Sequence, residues 1–456
     1  MDLSVIDSMR RESREIFLEA IAAVDPYAAV KRALRLEGHE LVAGQGDNVL
    51  RCFNLTEVDR ILVVGGGKAT APMAKAVEEI LGPRIWKGHI VVKYGFSEEL
   101  QKIEITEAGH PLPDENGVKG AAKILEILSE AGERDLVISL ISGGGSALLP
   151  QPADDITLKE KQAVTQMLLD CGATIEEINA LRKHISLTKG GQMARAAWPA
   201  TVLNLMLSDV VGDRLDVIAS GPFVPDPSTF KNVEEIILKY GLQDLPASVA
   251  AYIKAGVEGR VPETPKEGDQ IFERVFNLVV GNNLIALKAA GKKASSMGYS
   301  TLILSSMIEG ETREVAKVHV GIAREVLKSG HPLTAPACII SGGETTVTIK
   351  GKGTGGRNQE FCLAAAIHLE GEPPAVVILS GGTDGNDGPT DAAGGIVDPL
   401  TTKRARDMGL NPAEYLNNND SYNFLKQTGG LLVTGPTKTN VMDVRLILIR
   451  PPSSSA

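Results

Sequence analysis

The sequence predicts an α/β protein with two α/β domains and an active site in the cleft between them. The first observation is a series of short, continuous apolar segments, which are typical of buried parallel strands. The second is that four of these segments end in glycine clusters followed by polar residues, at residues 65–68, 142–146, 341–345 and 380–385. The third is that predicted helices alternate with the strands in both halves. Because doubly wound sheets bind ligands at the carboxyl ends of their strands, these clusters mark the expected ligand-binding loops.

In the N-terminal half the pattern predicts a Rossmann-like, doubly wound domain. Apolar residues at helical spacing predict an amphipathic first helix that ends before Pro26. Strands are predicted at residues 61–64, 89–93, 136–141 and 201–207, and helices at 71–81, 117–128 and 157–171. Thr157 and Glu160 form a capping box at the start of the last of these helices.

Residues 254–270 are rich in glycine, proline and charge and have no periodicity, so we place the domain boundary there. The expected domains are therefore residues 1–270 and residues 271–456. The second is a smaller α/β domain with a mixed sheet. Its strands are predicted at 276–280, 300–304, 337–341, 430–434 and 444–449, and its helices at 284–296 and 311–327. The alternation over residues 345–350 predicts an antiparallel hairpin.

Composition narrows the class of protein. A chain of 456 residues is longer than one core usually serves, which agrees with two domains. The formal net charge of −10 argues against a nucleic-acid or membrane-surface role, although it allows a local basic pocket. The four cysteines are scattered without metal-finger spacing, and no apolar run approaches the roughly 20 residues that span a bilayer. We therefore expect a cytoplasmic protein, monomeric or homodimeric, with small-molecule partners.

The first glycine loop, residues 65–68, ends in Lys68 and predicts a functional lysine. It is not a Walker A loop, because Ala69 follows the lysine where Ser or Thr is required. It is not a dinucleotide fingerprint either, because Thr70 occupies the third glycine position and the next predicted strand ends in Lys93 rather than an acid. The helix dipole disfavours a lysine at a helix start, so we interpret Lys68 as functional, with a solvated lysine as the alternative.

The second glycine loop, residues 142–146, contains serines but does not match a hydrolase elbow, since Leu148 stands where a glycine is needed. Cradling of an anion by its amides and hydroxyls is favoured instead. Arg182 and Lys189 form a basic cluster in an acidic chain, which indicates either an anion site or a solvated helix face. His110, within His-Pro-Leu-Pro, is interpreted as part of a rigid turn.

The C-terminal half contains the densest polar chemistry. Arg357 stands at a predicted helix start, where its planar fork suits phosphate or carboxylate. Asp384 and Asp387 follow a predicted strand, and their hard oxygens suit Mg²⁺. The segment is not an EF-hand, because Gly395 occupies the position of the closing glutamate. An Asp- and Gly-rich turn without a metal is the alternative.

Together these motifs resemble the ATP-dependent glycerate kinases with a C-terminal MOFRL domain, also called glycerate 2-kinases. The resemblance covers nearly the whole chain, and no departure is seen at its motifs. They lie at residues 65–69, 110–114, 142–146, 181–184, 189–191, 208–213, 220–222, 309–311, 341–345, 355–360 and 383–391. The resemblance implies phosphorylation of D-glycerate by ATP with Mg²⁺, giving 2-phosphoglycerate. It also makes Lys68 and Arg357 the leading active-site candidates.

The expected site combines these residues. Lys68, Arg357 and Asp209 are the predicted catalytic residues, with either Asp209 or Glu344 taking the hydroxyl proton. Asp384 and Asp387 are the predicted metal ligands. The predicted substrate- or phosphate-binding residues are Gly66, Gly67, Ser142, Gly143, Gly144, Gly145, Ser146, Arg182, Lys189, Glu344 and Asn358.

Two other functions stay open at this point. The first is an NAD(P)-dependent reductase of hydroxypyruvate, against which the broken dinucleotide fingerprint counts. The second is a non-catalytic sensor of a small acidic metabolite, which has no evident need for the acidic cluster at residues 384–391.

Overall fold

A computed structural model describes residues 3–45, 48–242 and 244–451. The chain forms two compact units, which are described separately. The parallel-sheet unit comprises Pro26–Val280, and the mixed-sheet unit comprises Met1–Asp25 and Gly281–Ala456. Elements are numbered along the whole chain, beginning with helix α1 (Leu3–Ala22) of the mixed-sheet unit.

The parallel-sheet unit contains nine strands and nine α-helices among its described residues. The strands are β1 (Leu34–Glu37), β2 (Glu40–Gln45), β3 (Asn48–Asn54), β4 (Ile61–Gly66), β5 (Ile85–Lys93), β6 (Ile103–Ala108), β7 (Leu136–Ile141), β8 (Thr201–Leu207) and β9 (Val275–Gly281). The helices are α2 (Pro26–Ala33), α3 (Thr70–Leu81), α4 (Glu115–Ser129), α5 (Gly145–Leu148), α6 (Leu158–Asp170), α7 (Ile175–His184), α8 (Gln192–Ala197), α9 (Phe230–Lys239) and α10 (Ala247–Val257).

The main sheet of this unit has the strand order β6-β5-β4-β7-β8-β9, and β4 to β8 pair in parallel with their neighbours. This is the 3-2-1-4-5-6 order of doubly wound sheets, whose ligand crevice lies where the order reverses. The reversal falls between β4 and β7, so the two glycine loops follow adjacent strands. The predicted fold class is therefore confirmed, and the loops meet at the switch point.

The two central strands, β4 and β7, are buried along their whole length, because side chains cover both faces of the sheet. On one face Leu62 and Val64 of β4 belong to the same apolar cluster as Ile124 of α4 and Met193 of α8. The helix α6 begins with the predicted capping box, in which the Thr157 hydroxyl accepts from the Glu160 amide at 3.2 Å. This packing makes a rigid base for the loops above it.

The mixed-sheet unit has six strands among its described residues, in the order β10-β11-β15-β12-β13-β14. They are β10 (Ser300–Ile308), β11 (Ala337–Gly343), β12 (Val376–Gly382), β13 (Gly394–Val397), β14 (Leu431–Leu432) and β15 (Asp443–Ile449). Its further helices are α11 (Asn283–Ser296), α12 (Thr312–Ser329), α13 (Arg357–His368), α14 (Thr401–Asp407), α15 (Pro412–Asn417) and α16 (Ser421–Thr428). The strand β15 runs antiparallel between β11 and β12, so Asp443 lies between the carboxyl ends of those two strands.

The division into units differs from the predicted one in two places. Helix α1 belongs to the mixed-sheet unit, where Arg10 binds the buried Asp398 at 2.7 Å and Phe17 packs against Gly381. The boundary falls after residue 280 rather than 270, because β9 is the edge strand of the first sheet.

Two local features also differ from the sequence prediction. The hairpin predicted at residues 345–350 is wrong, since only an isolated bridge joins Thr346 to Glu311 and the Lys350 amide donates instead to Asn419. The small antiparallel sheet β1–β2–β3 was not predicted, because β3 is mostly exposed and has no clear apolar pattern. Within the described ranges, no helix combines the length and apolarity that a membrane span requires.

Candidate functional site

The first glycine loop places Lys68 at the switch point of the parallel sheet. The Gly67 amide donates to the Val91 carbonyl at 3.1 Å, and the Lys68 amide donates to the Gly143 carbonyl at 2.9 Å. Gly67 has a φ of 147°, and a Cβ there would lie 2.1 Å from the Ser142 hydroxyl, so only glycine fits. The Lys68 side chain is half-buried, and its ammonium makes no hydrogen bond or salt bridge with another described residue.

Ser142 binds the protein rather than facing a ligand. Its buried hydroxyl accepts from the Ala69 amide at 3.0 Å and lies 3.2 Å from the Thr70 hydroxyl, so it ties the second glycine loop to the start of α3. Gly66 is covered by the Leu149 side chain. Both residues hold the loops in place, and their binding of substrate or phosphate stays a prediction.

Three polar side chains surround Gly143 and Gly144. The Asp209 carboxylate lies against Gly143, where a Cβ would be 1.9 Å from its Oδ2 atom. A Cβ on Gly144 would be 2.9 Å from the His110 ring and 3.2 Å from Cγ of Lys68. The amides of Gly143 and Gly144 have no acceptor among the described residues. The structure thus brings together Lys68, Asp209 and the loop, as predicted, and adds His110.

His110 was interpreted as part of a turn, and the structure places its ring in the cluster. Burial, together with the charges of Lys68 and Lys93, lowers the pKa of His110 to about 4. The ring is therefore neutral at neutral pH and can donate or accept a hydrogen bond. The only sequence signal was its position in a proline-rich motif.

A cavity of about 370 Å³ opens beside the loop and is lined by cations. Lys161, Arg182 and Lys189 line it, together with His110 and Gly144, and no Asp or Glu is among its lining residues. Nζ of Lys189 donates to the Ser146 carbonyl at 2.7 Å, and Nζ of Lys161 donates to the Pro150 carbonyl at 3.1 Å. The Arg182 guanidinium has no hydrogen bond or salt bridge within the described part of the chain.

These cations are held at an energetic cost. Burial lowers the pKa of Lys189 to about 7, with the charge of Arg182 as the second cause. Burial also lowers the pKa of Lys161 well below its usual range and lowers that of Arg182. Because no carboxylate neutralises the cluster, a bound anion would stabilise it. Arg182 and Lys189 thus match the predicted anion site, whereas nothing in the local sequence around Lys161 indicated its role.

In the mixed-sheet unit, Arg357 starts α13 and is fully paired. Its Nε and Nη2 atoms bind the two oxygens of the buried Asp443 at 2.8 and 2.9 Å. Its Nη1 atom lies 2.9 Å from Glu344, whose side chain is 44% exposed. Burial acts to lower the pKa of Arg357, but the hydrogen bonds and charge of Asp443 outweigh it and raise the pKa.

Asp387 was predicted to bind a metal, and the structure assigns it to a helix cap. Its two oxygens accept from the amides of Asn358 and Gln359 at 3.1 and 2.8 Å, at the start of α13. Burial raises the pKa of Asp387 to about 7, against these hydrogen bonds, which lower it. Asn358 is also internal, since its amide binds Asp443 and accepts from Ser380. Both residues thus form hydrogen bonds within the protein, and metal binding at Asp387 and ligand binding at Asn358 stay predictions.

Asp384 is half-buried, and one of its oxygens accepts from the Asn386 amide at 3.1 Å. Among the described residues, no group of three or more His, Cys, Asp or Glu could hold a metal ion. Both oxygens of Asp387 already accept hydrogen bonds from main-chain amides, and the two-carboxylate magnesium site stays a prediction. A magnesium ion that arrives on substrate phosphates needs only one or two carboxylates, a requirement that Asp384 can meet.

A doubly wound sheet with an acid-free cationic cavity at its switch point defines a protein for a small anionic ligand. Residues 12–254 match a domain of unknown function (DUF4147), and residues 337–443 match the MOFRL family. The D-glycerate 2-kinase of Thermotoga maritima is 44% identical over 97% of this chain and 99% of its own length. This chain therefore belongs to the glycerate kinase family.

Two further similarities fit this assignment. A crystal structure of glycerate kinase from Thermotoga maritima superposes with a TM-score of 0.86, at 44% identity, over 97% of this chain and 100% of the other. A protein of Agrobacterium vitis named as a putative hydroxypyruvate reductase is 44% identical over 97% of this chain and 95% of its own length. The relatives of this chain thus include proteins named as glycerate kinases and proteins named as putative hydroxypyruvate reductases.

Proposed function

We propose that this protein transfers the γ-phosphoryl group of ATP, with Mg²⁺, to the 2-hydroxyl of D-glycerate and forms 2-phosphoglycerate. The observation that carries the proposal is the acid-free cluster of cations at the switch point, in a chain 44% identical to a D-glycerate 2-kinase. Phosphoryl transfer requires mainly positioning and neutralisation of charge, and such a cluster supplies both.

D-glycerate binds at the second glycine loop in this proposal. Its carboxylate accepts hydrogen bonds from the Gly143 and Gly144 amides, which have no acceptor among the described residues. Neutral His110 adds a polar contact without adding charge. The Lys68 ammonium then lies beside the transferring phosphoryl group and stabilises its charge in the transition state.

Asp209 is the proposed general base, because its carboxylate lies against Gly143, next to the proposed position of the acid. It takes the proton of the 2-hydroxyl as the oxygen attacks the γ-phosphorus, and the bond from that phosphorus to the bridging oxygen breaks to release ADP. Glu344 is less suited to this role, because it already forms a salt bridge with Arg357.

Arg357 is proposed to bind a phosphate only after Glu344 leaves it. Glu344 is 44% exposed and can be displaced by an anion, whereas Asp443 is buried and remains bound. Asp384 would hold part of the coordination of a Mg²⁺ ion bound to ATP, and that ion would neutralise phosphate charge.

The test is a coupled assay in which purified protein receives D-glycerate and ATP·Mg²⁺, with enolase as the coupling enzyme. Enolase consumes 2-phosphoglycerate and not the 3-isomer, so an immediate signal identifies the 2-position. Phosphorus NMR of the product checks the assignment independently. A parallel sample with hydroxypyruvate and NADH or NADPH tests the reductase function. Oxidation of the nicotinamide without any glycerate phosphorylation would overturn the proposal.

A further inference from the structure

We infer that the cation-lined cavity beside the second glycine loop is the nucleotide subsite, with the polyphosphate on Lys161, Arg182 and Lys189 and the base on its apolar wall. This inference rests on the proposed kinase function and goes beyond it, because that function leaves the place of the nucleotide open. Three independent properties of the cavity carry the inference: its charge, its size and the character of its wall.

The charge suits a polyphosphate better than a single carboxylate. Three cationic side chains line the cavity, and its lining residues include no acid. One carboxylate would leave most of this charge uncompensated, whereas a nucleoside triphosphate carries a negative charge on each phosphate. Arg182 is the strongest indication, because a guanidinium that has no partner among the described residues presents its whole fork to a phosphate.

The size of the cavity also favours an occupant larger than a small acid. The cavity measures about 370 Å³, within the range of about 300 to 1,000 Å³ for pockets that bury a drug-sized ligand. A three-carbon acid would occupy a small part of it. A nucleotide is comparable in size to the ligands that such pockets bury.

The rest of the cavity wall is mostly apolar and partly exposed. Pro111, Leu112, Pro113, Pro150 and Leu169 line it. The side chains of Leu112 and Leu169 are 73% and 51% exposed, so a base packed on them would bury apolar surface that water now covers. D-glycerate has no apolar face that could do this.

The same wall includes two amides from α6. Nε2 of Gln162 donates to the Pro113 carbonyl at 2.7 Å, and Nε2 of Gln166 donates to Asp170 at 2.7 Å. Their amide oxygens therefore remain as the acceptors that can meet the edge of a base. A face of α6 thus presents Lys161 to the phosphates and Gln162, Gln166 and Leu169 to the nucleoside.

The experiment measures binding of three ligands by calorimetry: a non-hydrolysable ATP analogue, inorganic tripolyphosphate and D-glycerate. Arg182→Met should weaken the analogue and tripolyphosphate by at least about tenfold, the scale of one charged hydrogen bond, and leave D-glycerate within about twofold. Arg182→Lys should restore part of the loss. Lys159→Met, which removes an exposed charge from the neighbouring helix α6, is the matched control and should change nothing.

A second variant tests the apolar wall and does not depend on Arg182. Leu169→Ala should weaken the analogue several-fold and leave tripolyphosphate unchanged, since only the analogue has a base. Because Leu169 is 51% exposed, its loss should leave the fold intact. Leu238→Ala, at another exposed leucine, is the control.

The outcomes separate the two proposals. Loss of D-glycerate affinity in Arg182→Met with unchanged analogue binding would assign the cavity to the acid and overturn the inference. If Arg182→Met does not fold, an analogue affinity that is unchanged in both Arg182→Lys and Leu169→Ala would overturn it equally. Absence of analogue binding and of phosphorylation in the wild type would instead contradict the proposed function itself.

Discussion

The two units differ in the charged residues that lie near their glycine loops. In the parallel-sheet unit, Lys68 and Arg182 form no salt bridge with another described residue, and Lys161 and Lys189 bind only carbonyls. In the mixed-sheet unit, the buried Asp443 binds Arg357 in a bidentate manner and also Arg445 at 3.0 Å. Cations that form no salt bridge among the described residues therefore lie beside the glycine loops of one unit, and closely paired ions lie at the sheet edge of the other.

This difference distinguishes charged residues that can bind a ligand from charged residues that stabilise the fold. A buried cation with no counter-charge destabilises the fold unless a ligand neutralises it, so the first cluster is built to gain from an anion. A buried ion pair is already satisfied, and its loss would damage the fold before it affected a ligand. Charged residues near glycine loops are thus not equivalent candidates for the active site.

The largest effect on stability is expected at Asp443. Asp443→Asn removes the charge that Arg357 and Arg445 share, and it should lower the free energy of unfolding by about 3 to 5 kcal/mol. Urea denaturation measures this. Glu344→Gln, which removes the exposed partner of Arg357, should cost no more than about 1 kcal/mol. Equal effects of the two variants would contradict the distinction between buried and exposed partners.

Substitution of Lys68 should affect catalysis strongly and stability little. Lys68→Met should lower kcat/KM for D-glycerate by at least about 100-fold, the scale for losing one electrostatic stabiliser. Its melting temperature should stay near that of the wild type, because the ammonium has no hydrogen bond or salt bridge with another described residue. Lys75→Met on α3, the helix that follows Lys68, is the control. Near-native turnover of the Lys68 variant would make this lysine a surface residue.

The pH dependence of anion binding tests whether Lys189 contributes its charge to the cavity. With a pKa of about 7, Lys189 is charged below pH 7 and neutral above it, and a bound anion raises this pKa. Affinity for sulfate, whose own charge is constant over this range, should therefore fall about tenfold as the pH rises from about 6 to about 9. His110, with a pKa of about 4, stays neutral throughout. A Lys189→Met variant whose affinity keeps the wild-type pH dependence would assign the titration elsewhere.

The smallest effect is expected at Asp384. Asp384→Asn should raise the Mg²⁺ concentration for half-maximal velocity several-fold, because one carboxylate ligand of a phosphate-bound metal is lost. D-glycerate binding by calorimetry should stay close to wild type. Asp387→Ala should instead lower the melting temperature, because it removes a helix cap worth about 1 kcal/mol. Lost D-glycerate affinity in Asp384→Asn would move this turn to the acid-binding side.

The sequence predicted most of the fold, since strands and glycine loops are local patterns. The switch-point position of Lys68 followed from a strand that runs into three glycines. The same pattern could not distinguish Ser142, whose hydroxyl turns inward, from Gly143, whose amide has no acceptor among the described residues. That distinction depends on Ala69 and Thr70, which are distant in the sequence.

Asp387 and Lys161 show a second limit. An aspartate in a glycine-rich turn has the same local pattern whether it binds a metal or caps a helix, and Asp387 caps α13, which begins 30 residues earlier. Lys161 lines the cavity only because α6 and α7 pack beside the second glycine loop. Partners brought together by tertiary structure leave no local signal.

The most direct test of the account is a crystal structure of the protein with D-glycerate and a non-hydrolysable ATP analogue. The account predicts phosphate oxygens within hydrogen-bonding distance of Arg182 and Lys161, and the D-glycerate carboxylate at the amides of Gly143 and Gly144. Phosphates bound elsewhere, with only water beside Arg182, would contradict the assignment of the cation-lined cavity as the nucleotide site.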